Sequence, residues 1–313
     1  MEHGLSAFFP SSRIITIGGG KGGVGKSTVA AGIAIQLAEL KKQVILVDAD
    51  LGGANLHLCM GIRYPERSLS DFISGAIPDI HNVVINTPVP LVRLISGASG
   101  IYGLTNPSFS HKHNMLSGFK KLNADYIIVD VGAGSDENNI DFFSLAENGI
   151  IVVTNEPTSI ENAYGFLKNS LLRKLVRLFT ADQTVCGIIK NFSNPKKSGF
   201  NRIEHLIEKV RAVNPRYGKM ADEIHLRYHP RLVVNMVKNA DDVGVEASFK
   251  KIAKKYLNID MVYVGYVVYD HAVEKCIKNI QPISHYRESD AYACLRAIAK
   301  NISVLETQEH NGE

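Results

Sequence analysis

The sequence predicts an α/β fold: a doubly wound, mostly parallel sheet flanked by helices, with a helical insertion. Three observations predict it. A glycine-rich stretch, Gly18-Gly19-Gly20-Lys21-Gly22-Gly23-Val24-Gly25-Lys26-Ser27-Thr28, lies between an apolar run and an amphipathic helical pattern. Short apolar runs then alternate with helical patterns, as expected for a sheet covered on both faces. Finally, 313 residues at 45% hydrophobic content can bury a large core, which excludes disorder as the main state.

Taken in order, Arg13-Ile14-Ile15-Thr16-Ile17 is short and β-branched and reads as a buried strand feeding the glycines. From Ser27 to Leu40 a helix places Val29, Ile33, Leu37 and Leu40 on one face. Val44-Ile45-Leu46-Val47 is the next strand, ending in Asp48-Ala49-Asp50. Strand, helix and strand in this order form a βαβ unit with a right-handed crossover. A short helix is expected over Leu69–Ile73, a strand over Leu91–Ile95 and a helix over His111–Leu122. Tyr126–Asp130, Gly149–Thr154, Arg231–Val237 and Val262–Tyr269 complete the strands.

Between Asn162 and His229 the rhythm changes. Leu171, Leu172, Leu175, Val176 and Leu178 mark one helix, with Arg173, Lys174 and Arg177 interleaved. Ile203, Leu206, Ile207, Val210 and Val213 mark another, so residues 166–230 read as a helical insertion within one domain, although Val185–Ile189 also fits a strand. The domain spans 13–305, between a short N-terminal tail (1–12) and an acidic tail (306–313).

Gly20 through Ser27 fits the phosphate-loop pattern G-x-x-x-x-G-K-[ST]. Glycines let successive backbone N–H groups turn inward around a polyphosphate, and the following helix aims its positive end at the same charge. Gly20, Lys21, Gly22, Gly23, Val24, Gly25, Lys26, Ser27 and Thr28 are therefore the nucleotide-binding candidates. Lys26 would reach the β- and γ-phosphates, and the Ser27 hydroxyl would ligate Mg²⁺. Asp130 ends an apolar strand, the position from which a carboxylate holds a magnesium-bound water. Alternation points Asp48 and Asp50 to one side of their strand, where one would support the metal's water shell and the other orient the attacking water. Ser27, Asp48 and Asp130 are thus the metal candidates.

Net charge is +4, a mild basic bias that permits an acidic partner without demanding one. The four cysteines, Cys59, Cys186, Cys276 and Cys294, form no C-x-x-C pair, so neither a zinc ribbon nor a disulfide framework is suggested. Met1 to Ser12 lacks the apolar core of a secretory signal, and no stretch approaches the roughly 18 apolar residues of a membrane span. A cytoplasmic location is expected, with contact at the membrane surface left open.

Lys21 is not required by the phosphate-loop pattern. With it, Lys21-Gly22-Gly23-Val24-Gly25-Lys26-Ser27 resembles the MinD/ParA family of ATPases, whose deviant Walker A motif is K-G-G-x-G-K-[ST]. The resemblance implies that Lys21 reaches across an ATP-sandwiched homodimer to the partner's phosphates. It implies that Asp50 is the water-positioning residue of switch I, so Asp50, Lys21 and Lys26 carry catalysis. Asp130-Val131-Gly132-Ala133-Gly134 as switch II, Glu156-Pro157-Thr158-Ser159-Ile160 and Leu232-Val233-Val234-Asn235 resemble the FlhG-like branch, regulators of flagellar number and placement. There the last asparagine contacts adenine, which implicates Asn235, with Asn191 in its place if Val185–Ile189 is a strand. The implied activity is slow Mg²⁺-dependent ATP hydrolysis that resets a spatial switch acting on a flagellar or division component.

The departures are specific. Met1 to Ser12 lacks the D-Q-A motif of many FlhG proteins, and His57 sits where an aspartate is common. The C-terminal helix, Asp290 to Leu305, is followed by Glu306, Glu309 and Glu313, whereas a membrane-targeting helix is basic on its polar face. The alternative is a ParA-like DNA-partitioning ATPase, for which Arg173, Lys174, Arg177, Lys250, Lys251, Lys254 and Lys255 offer basic surface.

Overall fold

The computed structural model describes residues 12–97, 107–192 and 202–311, so most of the N-terminal tail, part of the insertion and the last two residues lie outside it. In chain order, β1 (Arg13–Gly18) leads through the glycine loop into α1 (Lys26–Glu39), followed by β2 (Val44–Ala49), α2 (Leu56–Cys59) and α3 (Leu69–Ile73). Next come β3 (Ile85–Asn86), β4 (Val92–Ile95), α4 (Phe109–Lys121), β5 (Tyr126–Val131), α5 (Glu137–Phe143) and β6 (Ile150–Val153). Among the described residues, α6 (Pro157–Leu178), α7 (Gln183–Phe192), α8 (Ile203–Val213) and α9 (Pro215–Arg227) come before β7 (Arg231–Val237). The chain ends with α10 (Ala240–Val243), α11 (Val245–Leu257), β8 (Val262–Val268), α12 (His271–Asn279) and α13 (Asp290–Asn311).

The eight strands form one sheet in the order β3-β4-β2-β5-β1-β6-β7-β8. All pairs are parallel except β3 with β4 at one edge. Parallel strands need crossovers, so β1, β2 and β5 are buried on both faces and read as unbroken apolar runs. On one face α1 and α13 pack over Ile15, Leu46, Ile128 and Val264. On the other, α3 to α9 and α11 share a single core with Val47, Val129 and Ile151. The central strand β1 places the glycine loop at the carboxyl end of the sheet, where strand order reverses and ligands bind in such folds.

Three expectations change. Val185–Ile189 is helical: Asp182 accepts the Val185 N–H at 3.0 Å, and Val185, Cys186, Ile189 and Phe192 form a buried helical stripe. A short apolar run fits either period, and here the preceding aspartate decides. Leu40 lies just past the end of α1 and is exposed. Glu306 belongs to no tail, because α13 continues through it to Asn311 and its carboxylate pairs with buried Arg231. The apolar face of α13, with Leu295, Ile298 and Ile302, is consumed by the core, and among the described residues no helix is long and apolar enough to cross a membrane.

The basic surface is also smaller than the sequence suggests. Arg173 and Arg177 converge on buried Asp141 of α5, joined by Lys112 of α4. Lys174 lies over the Tyr228 ring, while Lys250 pairs with Glu246 and Lys254 with Asp260. Charges neutralised inside the chain contribute little to holding a phosphate backbone.

Candidate functional site

The loop from Gly19 to Gly25 is shaped for close approach. Gly25, the N-cap of α1, has φ +86°, a left-handed conformation that costs glycine nothing. Gly20 presses against the backbone carbonyl of Asn162 in α6, where a Cβ would collide. Gly22 faces Ala133 across a gap that a Cβ would fill at 3.7 Å, and Val24 is buried. No side chain caps the first turn of α1, and that turn holds no acidic residue. By contrast, Ser68, Ser108 and Asp136 cap α3, α4 and α5. The bare N–H groups and helix dipole of α1 are thus left for an anion.

Lys26 is buried, and its Nζ lies 3.4 Å from the Lys21 carbonyl oxygen. Burial lowers its pKa, while the carboxylates of Asp130 and Asp50 pull the other way. Both negative charges therefore act on the ammonium. Thr28 stands against Cys59, whose thiol burial pushes up to about 12.

Asp48 and Asp130 are neighbours across the β2–β5 ladder, and both are buried. Burial pushes Asp130 up to about 7, with the Ser27 hydroxyl bond and the Lys26 charge opposing it. Asp130 Oδ1 is buried without a hydrogen-bond partner. A partnerless carboxylate oxygen next to Ser27 fits a metal-bound water, so Ser27 and Asp130 suit Mg²⁺. Asp48, in contrast, accepts the N–H of Asp50 and of Leu56, each at 3.1 Å, and burial raises its pKa well above the carboxylate range. Its oxygens brace the turn after β2. These two bonds hold Asp48 in the turn beside Asp130, and its expected support of the metal's water shell stays a proposal. Asp50 closes that turn, with Oδ1 accepting the N–H groups of Gly52 and Gly53 at 3.1 and 2.8 Å.

Lys21 reaches within its own chain to Glu156, ahead of α6, and donates to Thr158 Oγ1 at 2.9 Å. Both acceptors lie in the stretch already singled out by sequence, but nothing local to Lys21 forecasts their meeting. Asn235 is buried and donates through Nδ2 to the Val24 carbonyl at 2.8 Å, tying β7 to the loop. The next residue, Met236, has φ +60°, and the β7–β8 register shifts between Val234 and Val237. That irregularity turns Asn235 toward the glycines. Asn191 lies exposed in α7, and its alternative role fell with the strand it required.

Comparison with known proteins follows the same lines. A family model described as ParA, the NUBPL iron-transfer P-loop NTPase, matches residues 11–259. The antiactivator FleN of Pseudomonas aeruginosa is 27% identical over 294 residues, covering 93% of this chain and 86% of FleN. The flagellum site-determining protein YlxH of Helicobacter pylori is 30% identical over 167 residues, covering 50% of this chain and 53% of YlxH. Among solved structures, the septum site-determining protein MinD of Pyrococcus horikoshii, complexed with Mg-ADP, superposes with a TM-score of 0.61 at 19% identity, over 94% of this chain and 97% of that one. A MinC:MinD cell division complex from Aquifex aeolicus gives 0.60 at 20% identity, over 93% and 96%. At such identities the structural likeness concerns the fold.

Proposed function

This chain belongs to the ParA/MinD family of P-loop ATPases, and from that premise we propose that it is an ATP-driven dimerisation switch that regulates the number or placement of a cellular structure. One observation carries the reading. Buried Lys26 sits at the uncapped start of α1, where the charges of Asp130 and Asp50 both act on it; a cation with two carboxylates in electrostatic reach supports a phosphate cradle with one metal-supporting and one water-orienting group.

The roles follow from the chemistry of each group. Backbone N–H groups of Gly20 to Gly25 and the α1 dipole bind the phosphates, and Lys26 neutralises charge that builds on them. Asp50, with one oxygen committed to Gly52 and Gly53, keeps the other for the attacking water. Mg²⁺, held through Ser27 and the water shell of Asp130, would supply charge neutralisation at the phosphates when bound. Asn235 gives its amide N–H to Val24, which leaves its carbonyl oxygen for a base; an acceptor suits the exocyclic amine of adenine and repels the carbonyl of guanine. Lys21, freed from Glu156, is the group we assign to the phosphates of a second copy.

The match to FleN along most of both chains supports a flagellar role with a protein partner. An iron-transfer role gains no support from the cysteines, since Cys186 and Cys276 are buried and burial raises Cys59 and Cys276, opposite to a ligating thiolate. Partitioning by DNA binding is weakened by the internal pairing of Arg173, Arg177, Lys250 and Lys254. The test is whether ATP turnover per chain depends on protein concentration.

A further inference from the structure

Between the turn after β2 and the loop after β5 lies a cavity of about 180 Å³, lined by Asp50, Gly52, Ala133, Asp136, Asn139 and Phe142 among others. Its volume admits a few waters. Asn139, on the first turns of α5, has a side chain whose orientation the surrounding bonds fix. Its Nδ2 donates to the Ala133 carbonyl at 2.8 Å and to the Asp136 carboxylate. Two acceptors on that side assign the amide nitrogen there and leave Oδ1 on the other. Asn139 Oδ1 and Asp50 converge over Gly132: a Cβ on that glycine would stand 2.7 Å from Asn139 Oδ1 and 3.3 Å from Asp50 Cγ. Ala133 in turn faces Gly22 of the phosphate loop.

We propose that Asn139 is a second water-holding residue for ATP hydrolysis, its Oδ1 and the Asp50 carboxylate taking the two hydrogens of the attacking water from either side of Gly132. The inference rests on the ATPase reading above. Two acceptors lining one small cavity can take both O–H groups of a water whose lone pair then faces the phosphorus. A lone carboxylate fixes one O–H and leaves the water free to rotate about it. Gly132 keeps both acceptors in place, since a side chain there would press on Asn139 Oδ1 and on the Asp50 carboxylate. In the step, the water oxygen bonds to the γ-phosphorus as the β–γ bridging P–O bond breaks. One proton leaves with the help of Asp50, the products being ADP and phosphate. Asn139 orients the water and exchanges no proton.

The experiment compares wild type, Asn139→Ala and Asp50→Ala in steady-state ATP hydrolysis with Mg²⁺, in affinity for a fluorescent ATP analogue and in thermal melting. Asn139→Ala is expected to lower kcat by at least about tenfold, while analogue affinity stays within about twofold and the melting temperature is unchanged. Turnover within about twofold of wild type, or a loss of affinity equal to the loss of rate, would overturn the role. The broader reading fails separately: an Asp50→Ala variant as active as wild type removes Asp50 from hydrolysis, and a wild type without activity removes both.

Discussion

The Lys21 ammonium rests on the Glu156 carboxylate of its own chain, and its second bond, to Thr158 Oγ1, measures 2.9 Å. The lysine we assign to a partner's phosphates is thus occupied in the single chain. For it to serve a second copy, this pair has to open.

Glu156→Ala should therefore favour the dimer. The pair is solvent-exposed, and such pairs contribute about 0–1 kcal/mol. Two such pairs open per homodimer, so the ATP-dependent dimer should form at a protein concentration lower by up to about thirtyfold, the factor for about 2 kcal/mol. Analytical ultracentrifugation with a slowly hydrolysed ATP analogue measures it. A dimer weakened by the substitution would mean that Glu156 supports association instead of restraining it.

Asp50→Ala should separate binding from turnover. The carboxylate oxygen kept for water is lost, whereas the phosphate loop, Lys26 and Ser27 are untouched. We expect kcat to fall by about a hundredfold or more with nucleotide affinity retained. Phosphate release measured beside analogue binding decides the matter, and a parallel loss of both would assign Asp50 to loop architecture.

Asp141 holds the helix after switch II. It is buried and receives Lys112 at 2.6 Å, Arg173 at 2.7 and 3.0 Å and Arg177 at 2.7 Å. Burial alone would raise its pKa; the bonds from Arg173 and Lys112, with the Arg177 charge, outweigh it and leave the carboxyl below its usual value. In the window between the folded and unfolded pKa values the unfolded chain binds more protons, so stability rises with pH there. The contribution is complete above a pH of about 4 and lost as pH falls through the depressed folded value. Asp141→Asn should cost about 3 kcal/mol at neutral pH, and less in acid. Urea midpoints at both pH values measure the difference, and a cost that does not change with pH would contradict the account.

Much of this architecture is legible in the residues themselves. Buried parallel strands such as Val44–Val47 and Ile127–Val129 are apolar on both faces, and the glycine pattern marks the cradle without any tertiary information. What was hidden depends on distant partners. Asp48 looks equivalent to Asp50 until its oxygens are found on the N–H groups of Asp50 and Leu56. Arg173 and Arg177 look like a free basic face because the carboxylate that binds them sits on a different helix. Asn139 carries no signal beyond its place after a capping aspartate, since its meaning comes from facing Asp50 across Gly132. Val185–Ile189 was ambiguous because five apolar residues cannot by themselves choose between two periods.

The central claim is that a complete ATP site needs two chains. Turnover per chain, measured across a range of protein concentrations in wild type and Lys21→Ala, tests it most directly. Wild-type turnover per chain should climb with concentration to a plateau, while Lys21→Ala binds nucleotide and stays at the low-concentration rate throughout. Wild-type turnover per chain that is constant from the most dilute sample to the most concentrated would contradict it.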